Sequence, residues 1–322
     1  MKKAFVTGST SQDASYLFEL LLEKGYEVYG LIRRSASRNL WRIEHLVKRI
    51  ELVQGDMTDQ PGLGRLINTI RPDEIYNLAA QSFVQYSFQA PVTTCDITGM
   101  GTLNLLEAVR MNHIHAKVFQ ASTSEQFGKI VESPQKETTR FYPRSPYGCA
   151  KAFAHYISVN YRESYGMKIS CAIMFNHESP RRGEEFVTRK ITKGIAEYKK
   201  GKSKLALGNL NASRDWSHAK DMMQGAWLML QQANPDYFVL ASGRTHTVKQ
   251  WLELACEYAG VDFWDVYLQD PTFERQSEVD YLCGDASKAN RVLGWKPTVS
   301  FEGLVKEMVD ADETLANYSG KV

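Results

Sequence analysis

Short apolar runs alternate with helical patterns along the first half of the chain. Runs of about four to eight apolar residues predict strands that are covered on both faces of a sheet. They fall at 4–7, 27–32, 50–53, 74–78, 117–120 and 169–175, and helical spacing predicts helices at 16–24, 63–70, 101–110 and 147–165. Strands that alternate with helices through short connections predict an α/β fold with a doubly wound parallel sheet of the Rossmann type.

The pattern changes after residue 175. Long polar loops lie at 176–185 and 270–280, and further helices are predicted at 187–199, 219–231, 248–259 and 301–316. Long loops are where binding residues concentrate. We therefore predict a cofactor-binding Rossmann domain over 1–175, to which segments near 215–245 return. A smaller, mixed α/β substrate domain is predicted over 176–322.

Composition is that of an ordinary globular protein. Of the 322 residues, 43% are hydrophobic and 24% are charged, and the net charge is +2. So small a charge disfavours a dedicated nucleic-acid-binding protein. The five cysteines form no CxxC pair or zinc-spaced cluster, and no apolar stretch approaches the roughly 18 residues of a membrane span. These features predict a cytoplasmic protein with no metal site and no membrane partner.

A tight turn at Gly8 joins the first predicted strand to the first predicted helix. Glycines at such a turn let backbone N–H groups approach a pyrophosphate at the helix N-terminus. In the GxxGxxG form, the second and third glycine positions hold Ser11 and Ala14. Ala14 still allows close helix–strand packing, whereas Ser11 is strained if its backbone needs a positive φ. The arrangement predicts dinucleotide binding, with an ordinary strand–helix turn as the alternative.

Charged residues after the second and third predicted strands bear on the choice of cofactor. Arg33, Arg34 and Ser35 follow the second strand, where arginine suits the 2′-phosphate of NADP and a carboxylate would suit NAD. The sequence therefore favours NADP, and an exposed charged turn is the alternative. Asp56 follows the third strand, where it either contacts an adenine amino group or caps a turn.

Candidate catalytic groups come from two segments. Tyr147 and Lys151 lie four residues apart on a predicted helix and so share one face. A nearby ammonium stabilises a phenolate, so we expect a lowered tyrosine pKa and a base for hydroxyl deprotonation. Thr123 and Glu125 follow the predicted strand 117–120. A hydroxyl donor suits hydride transfer, whereas a carboxylate suits removal of a carbon-bound proton in an elimination. A capping or salt-bridge role for Glu125 remains the alternative.

These motifs resemble the extended short-chain dehydrogenase/reductase family and, within it, the GDP-mannose 4,6-dehydratases. The resemblance spans nearly the whole chain and is carried above all by NLAAQS at 77–82, QASTSE at 120–125, FYPRSPYG at 141–148, NHESPRRG at 176–183 and FVTRKI at 186–191. The NHESPRRG stretch is far more specific than the spacing of tyrosine and lysine.

The resemblance implies a hydro-lyase that converts GDP-mannose to GDP-4-keto-6-deoxymannose and water, with NADP tightly bound. Tyr147, assisted by Lys151 and Thr123, would deprotonate the C4 hydroxyl as hydride moves to NADP. Glu125 would take the C5 proton and help the C6 hydroxyl leave before the hydride returns to C6. A homodimer or homotetramer is also implied, in which the loop 33–39 of a tetramer reaches a neighbouring subunit's cofactor region.

Binding residues follow from the resemblance by position. The implied cofactor-binding residues are Gly8, Ser11, Gln12, Asp13, Arg33, Asp56, Leu78, Ala80, Tyr147 and Lys151. The implied substrate-binding residues are Ser82, Asn176, Val187, Lys190, Gly208, Arg214, Arg275 and Glu278. Two alternatives stay open at this point, namely another nucleotide-sugar epimerase or reductase and a sugar-nucleotide-binding protein without catalysis.

Overall fold

The computed structural model describes residues 1–36, 39–270, 272, 279 and 281–319. The strands in these residues are β1 (Lys3–Thr7), β2 (Glu27–Ile32), β3 (Glu51–Gln54), β4 (Glu74–Asn77), β5 (Lys117–Thr123), β6 (Lys168–Met174), β7 (Asn176–Glu178), β8 (Leu205–Leu207), β9 (Ser213–Arg214), β10 (Trp216–His218), β11 (Tyr237–Leu240), β12 (His246–Thr247) and β13 (Tyr267–Gln269). The α-helices are α1 (Gln12–Glu23), α2 (Gln60–Ile70), α3 (Val84–Gln89), α4 (Pro91–Cys95), α5 (Gly101–Met111), α6 (Pro146–Tyr165), α7 (Val187–Tyr198), α8 (Ala219–Gln231), α9 (Val248–Ala259), α10 (Phe263–Val266), α11 (Ser287–Leu293) and α12 (Phe301–Ser319). A π-helix, Asp96–Met100, joins α4 to α5.

Seven strands form one central sheet in the order β11-β6-β5-β4-β1-β2-β3. Every neighbouring pair in it is parallel. The order reverses between β1 and β4, and such a switch point leaves a crevice at the carboxyl ends of the strands. The predicted α/β fold with a doubly wound Rossmann-type sheet is therefore confirmed.

Helices cover both faces of this sheet. Ala4 and Val6 pack in one buried cluster with α1 and α8, while Phe5 packs in a second cluster with α2 and α5. Alternate residues of a strand point to opposite faces, so a strand buried on both faces needs an unbroken apolar run. This requirement is the reason that β1 could be predicted from the sequence.

The chain after residue 175 adds one strand and one helix to the central sheet and its covering helices, and it forms a separate apolar cluster. β11 extends the sheet beyond β6, and α8 packs against the same face as α1. The remaining strands form three short pairs, β7 with β10, β9 with β12 and β8 with β13. Helices α7, α9 and α12 bury a separate apolar cluster around Trp251. Among the described residues, none of the helices combines the length and apolar character that a membrane crossing demands.

Several elements depart from their predicted bounds in ways that matter for the site. α1 begins at Gln12, four residues before the predicted start at 16, because the Ser11 side chain caps it by accepting the N–H of Ala14. β5 runs to Thr123 rather than 120, which places Thr123 at the end of the strand. The short strands β7 to β10, β12 and β13 were missed, since two or three residues leave no measurable period.

Candidate active site

A cavity of about 780 Å³ opens where β1, β4, β5 and β6 end. Its wall draws residues from the sheet edge and from the segments that follow β6. The predicted site residues on this wall are Gly8, Ser11, Gln12, Asp13, Leu78, Ala80, Ser82, Thr123, Glu125, Tyr147, Lys151, Asn176, Val187, Lys190, Gly208 and Arg214. The fold thus brings together groups that are spread over some two thirds of the sequence.

Two predicted site residues, Arg33 and Asp56, do not line this wall, and two more lie outside the described residues. Arg33 is exposed, and Asp56 accepts hydrogen bonds from the Thr58 backbone N–H at 2.9 Å and from its hydroxyl at 2.8 Å. The backbone bond in particular holds the pKa of Asp56 below its ordinary value. The Asp56 carboxylate therefore caps the turn after β3, and its contact with an adenine amino group stays a prediction. Arg275 and Glu278 lie outside the described residues.

The turn between β1 and α1 is shaped to let backbone approach a ligand. Gly8 has φ +69°, and a Cβ atom there would lie 2.9 Å from the backbone nitrogen of Ala79, so only glycine fits. Ser11 has φ −76° and ψ 163°, an extended conformation without strain, and Ala14 is fully buried. The expected conflict at Ser11 therefore does not arise. The turn and the N-terminus of α1 together fit a dinucleotide pyrophosphate.

Local backbone contacts hold Glu125 beside the N-terminus of α6. The Glu125 N–H donates to the Thr123 hydroxyl at 3.3 Å, which starts a single 3₁₀ turn after β5. Ser145 caps α6 by accepting the Gly148 N–H at 3.0 Å. A Cβ atom at Gly148 would lie 2.8 Å from the Glu125 carbonyl oxygen, so the glycine after Tyr147 allows this close approach. Glu125 and Tyr147 are thereby held in adjacent, buried positions.

Burial dominates the protonation of the tyrosine and the lysine. Desolvation raises the pKa of Tyr147 and the Glu125 carboxylate raises it further, against a hydrogen bond with Thr123 that lowers it. Burial lowers the pKa of Lys151 to about 8. The Lys151 Nζ donates to the Ala121 carbonyl at 2.7 Å and lies 5.9 Å from the centre of the Tyr147 ring. The expected lowering of the tyrosine pKa is therefore wrong for the chain by itself, because desolvation of the phenolate prevails.

An ion pair that sequence reasoning missed joins the first turn of α1 to β7. His177 Nε2 lies 3.0 Å from Asp13 Oδ2, and His177 Nδ1 lies 2.7 Å from the Phe175 carbonyl. Burial alone would lower the pKa of His177, but the Asp13 carboxylate outweighs it and the pKa is raised. The motif 176–183 had singled out this histidine, yet its partner is 164 residues away and leaves no local pattern.

A second, parallel link runs through Gln12. Its side-chain amide donates to the His177 carbonyl at 3.1 Å and its carbonyl accepts the Ser179 hydroxyl at 2.7 Å. Asn176, next in this strand, has a buried Oδ1 with no hydrogen-bond partner within the described part of the chain. Because buried polar atoms are nearly always bonded, this oxygen on the cavity wall marks a place for a ligand donor.

Comparison with known proteins shows which family and which solved structures the chain is similar to. The family model described as GDP-mannose 4,6 dehydratase matches residues 5–308. GDP-mannose 4,6 dehydratase 1 of Arabidopsis thaliana is 51% identical, covering 98% of this chain and 91% of that protein. The human GDP-mannose 4,6 dehydratase is 48% identical over 97% of this chain and 91% of its own length. A solved UDP-glucose 4-epimerase of Thermus thermophilus in complex with NAD superposes with a TM-score of 0.85 at 26% identity, covering 99% of this chain and 100% of that one.

Replacing Asp13 should reverse the direction of the pKa shift at His177. In Asp13→Asn the imidazole loses its carboxylate, so burial and the nearby Arg182 charge should outweigh the bond to the Phe175 carbonyl and the pKa should fall below the ordinary value of 6.5. NMR titration of histidine-labelled protein measures it, with the exposed His113 as a signal that should not move. In the unsubstituted protein the raised pKa stabilises the fold below about pH 6.5, and this contribution is lost as the pH rises through the folded-state pKa. An unchanged His177 titration in Asp13→Asn would contradict the ion pair.

Proposed function

The chain belongs to the GDP-mannose 4,6 dehydratase family, and from this premise we propose that it removes water from GDP-mannose to give GDP-4-keto-6-deoxymannose. The observation that carries the proposal is a buried carboxylate, Glu125, beside the hydrogen-bonded Thr123 and Tyr147 in a cavity that Lys151 also lines. Oxidation or reduction of a hydroxyl-bearing carbon needs the Thr123 hydroxyl, the Tyr147 phenol and the Lys151 ammonium. The carboxylate is the group that an elimination adds.

We propose NADP as the bound cofactor. The turn at Gly8 and the start of α1 would hold its pyrophosphate, and Arg33 and Arg34 suit a 2′-phosphate. A nicotinamide cofactor supplies a hydride acceptor that can return the same hydride, and its nicotinamide ring carries a positive charge when oxidised. The NAD-bound epimerase of the same fold supports a nicotinamide cofactor in general, while the arginines after β2 support the phosphorylated form.

Two proton transfers are assigned to two residues, one to Tyr147 and the other to Glu125. Tyr147 takes the proton of the C4 hydroxyl, and Thr123 orients the phenol through their hydrogen bond. Since burial keeps the phenol protonated in the chain itself, a phenolate needs added positive charge nearby. Lys151, with a pKa of about 8, is still mostly protonated at pH 7 and contributes such a charge. Glu125 removes the C5 proton, made acidic by a C4 ketone, and passes it to the C6 hydroxyl, which leaves as water. The proton that Tyr147 took would then pass to C5 once the hydride has returned to C6, so that one water is the net loss.

Substrate binding is assigned to the opposite part of the wall. Asn176 would accept a hydrogen bond from the sugar at its unpaired Oδ1. Lys190 and Arg214 would contact the diphosphate, since charge-assisted bonds to phosphate are strong. Val187 and Gly208 would border the guanine. We assign Ser82 to the sugar, and Arg275 and Glu278 to the nucleotide on the resemblance alone.

We further propose that the two parts of the chain divide the ligands between them. Residues 1–175, joined by β11 and α8, would bind the cofactor, because the phosphate turn and the sheet edge belong to them. Residues 176–322 would bind the sugar nucleotide, because Asn176 and Lys190 enter the cavity from that side. The catalytic groups then lie where the two ligands meet.

We also propose that the protein is a homodimer or homotetramer. The π-helix and α6 pack together, and beside them Val92, Met100, Phe153 and Tyr156 remain exposed. Exposed apolar side chains on packed helices suit a second copy of the chain. Light scattering should give two or four times the chain mass of 36.6 kDa, and a monomeric mass would refute this proposal. Residues 37 and 38 of the loop 33–39 lie outside the described residues.

A cytoplasmic location is also proposed. All five cysteines are free thiols, and Cys95 and Cys149 are exposed, which suits a reducing compartment. Fractionation of the source cells tests this, and recovery of the protein outside the cytoplasm would contradict it.

Mass spectrometry of GDP-mannose after incubation with the protein and NADP tests the reaction. The unsubstituted protein should remove one water without net formation of NADPH. Glu125→Gln should slow this loss by about 10²–10⁴-fold, because the C5 proton has no acceptor. Glu163→Gln, at an exposed position of α6, is the matched control and should keep full activity.

Three other outcomes would count against parts of this assignment. Unchanged GDP-mannose with the unsubstituted protein refutes the substrate. A product that has kept its water favours an epimerase if NADP is unchanged, and a reductase working in the direction of oxidation if NADP is reduced. Equal rates for Glu125→Gln and the unsubstituted protein remove the carboxylate from the mechanism.

Ser11→Gly should tighten NADP binding. The Ser11 hydroxyl accepts the Ala14 N–H at 3.1 Å, so that donor is already used within the helix. Freeing it for a phosphate should gain about 1 kcal/mol, or about fivefold in Kd, while the loss of the cap costs only a few tenths. Fluorescence titration of cofactor-free protein measures it. Ser300→Gly is the control, since Ser300 accepts the Gly303 N–H at the start of α12. Weaker binding by Ser11→Gly would mean that the hydroxyl itself holds the cofactor.

A further inference from the structure

Asp215 is a fully buried carboxylate between β9 and β10. It accepts the backbone N–H of Ser242 at 2.8 Å, the Ser242 hydroxyl at 2.6 Å, the Gly243 N–H at 2.9 Å and the Gly284 N–H at 3.1 Å. A buried charge is tolerated only when such bonds replace its hydration. With four donors fixed around it, the position of this carboxylate is strongly determined.

These donors come from two segments that are also joined by the Cys283 thiol, which donates to the Gly243 carbonyl at 3.6 Å, and by the packing of Ala241 against Leu282. Ser242 and Gly243 follow β11, the edge strand of the sheet, and Gly284 lies more than forty residues later in the chain. A Cβ atom at Gly284 would lie 2.3 Å from the Cβ of Ala241, so a glycine is required for this approach. The carboxylate therefore joins the residues after β11, the link between β9 and β10, and the segment at 284.

Both neighbours of Asp215 in the sequence lie on the cavity wall. Arg214 is in β9, and Trp216 in β10 pairs in register with Asn176 of β7. The backbone that the Asp215 carboxylate fixes therefore directly carries Arg214, which is proposed to bind the diphosphate. Through the β7–β10 pair, the same backbone also supports Asn176, which is proposed to bind the sugar.

We propose that Asp215 is a positioning residue for the sugar nucleotide. Its carboxylate holds Arg214 and, through β10, Asn176 at a fixed height above the sheet edge, so that the substrate lies in register with Glu125 and Tyr147. The proposal rests on the proposed function for the identity of the substrate. It predicts an effect on substrate binding and none on cofactor binding, because the donors to Asp215 all lie outside the turn at Gly8.

A carboxylate is needed at this position because the donors lie on both of its oxygens. Oδ1 accepts from Ser242 and Oδ2 accepts from Gly243 and Gly284. In Asp215→Asn one oxygen becomes an amide that donates, so it opposes the N–H groups on that side. The substitution keeps the size of the side chain while it breaks about half of the network.

Asp221 offers a matched control. It is also buried, in the first turn of α8, and its carboxylate accepts the Thr298 N–H at 2.8 Å, the Thr298 hydroxyl at 2.6 Å and the Val299 N–H at 3.2 Å. It is not part of the cavity wall. Asp221→Asn therefore damages a similar network without touching the substrate side.

The experiment compares KM for GDP-mannose, kcat, the NADP Kd and the thermal midpoint in both variants. Asp215→Asn should raise KM by about 5- to 150-fold, as expected from loss of about 1–3 kcal/mol, with kcat within about threefold and the NADP Kd unchanged. Asp221→Asn should lower the thermal midpoint with KM unchanged. Ser242→Ala removes one of the four bonds to Asp215, together with the contacts of the Ser242 hydroxyl to the Arg244 backbone, and should raise KM less than Asp215→Asn does.

Two results would overturn the proposal. One is an unchanged KM in a folded Asp215→Asn, and the other is a KM rise that Asp221→Asn shares. If Asp215→Asn does not fold, an unchanged KM in Ser242→Ala decides against the proposal and a raised KM supports it. Calorimetric binding of GDP separates this question from the reaction itself. If the unsubstituted protein binds GDP but does not turn over GDP-mannose, the proposed function fails, while a loss of GDP affinity in Asp215→Asn still supports the positioning role.

Discussion

All seven strands of the central sheet run in one direction, and the arrangement of reactive groups depends on that constraint. The carboxyl ends of parallel strands share one edge, so the residues that follow them are brought together whatever their distance in sequence. Gly8, Leu78, Thr123 and Phe175 meet at this edge for no other reason. The reversal of strand order between β1 and β4 then leaves space between the connecting segments for ligands. The turn at Gly8 and the candidate catalytic residues Thr123 and Glu125 are thus neighbours because of the sheet topology.

Buried polar contacts add the second level of organisation. Asp13 with His177, and Gln12 with Ser179, tie the start of α1 to the segment after β6. Asp215 ties the backbone beside Arg214 to the end of β11. Such contacts compensate the desolvation of their own groups and add little net stability. What they supply is geometric definition, since a charged group with every bond made has one position and no alternatives of similar energy.

The sequence predicted those parts of the molecule that repeat or alternate. β2, α8 and α9 match their expected bounds because apolar runs and helical spacing extend over many residues there. The wall of the cavity was predictable through motifs that belong to the ends of these elements. The β7–β10 pair was not, since three residues carry no period. The direction of the Tyr147 pKa shift was missed because it depends on burial, and the Asp13–His177 pair because its partners are far apart in sequence.

β11 has a consequence for the order in which the protein is made. Synthesis from the N-terminus completes β6 at residue 174, more than sixty residues before the strand that covers its outer edge. Throughout that interval the growing polypeptide carries an unpaired row of backbone N–H and C=O groups along an apolar strand, the kind of edge that recruits other chains. Chaperone capture and aggregation of ribosome-bound fragments should therefore be concentrated at lengths at which β6 has emerged from the ribosome and β11 has not, and should decline once β11 has docked.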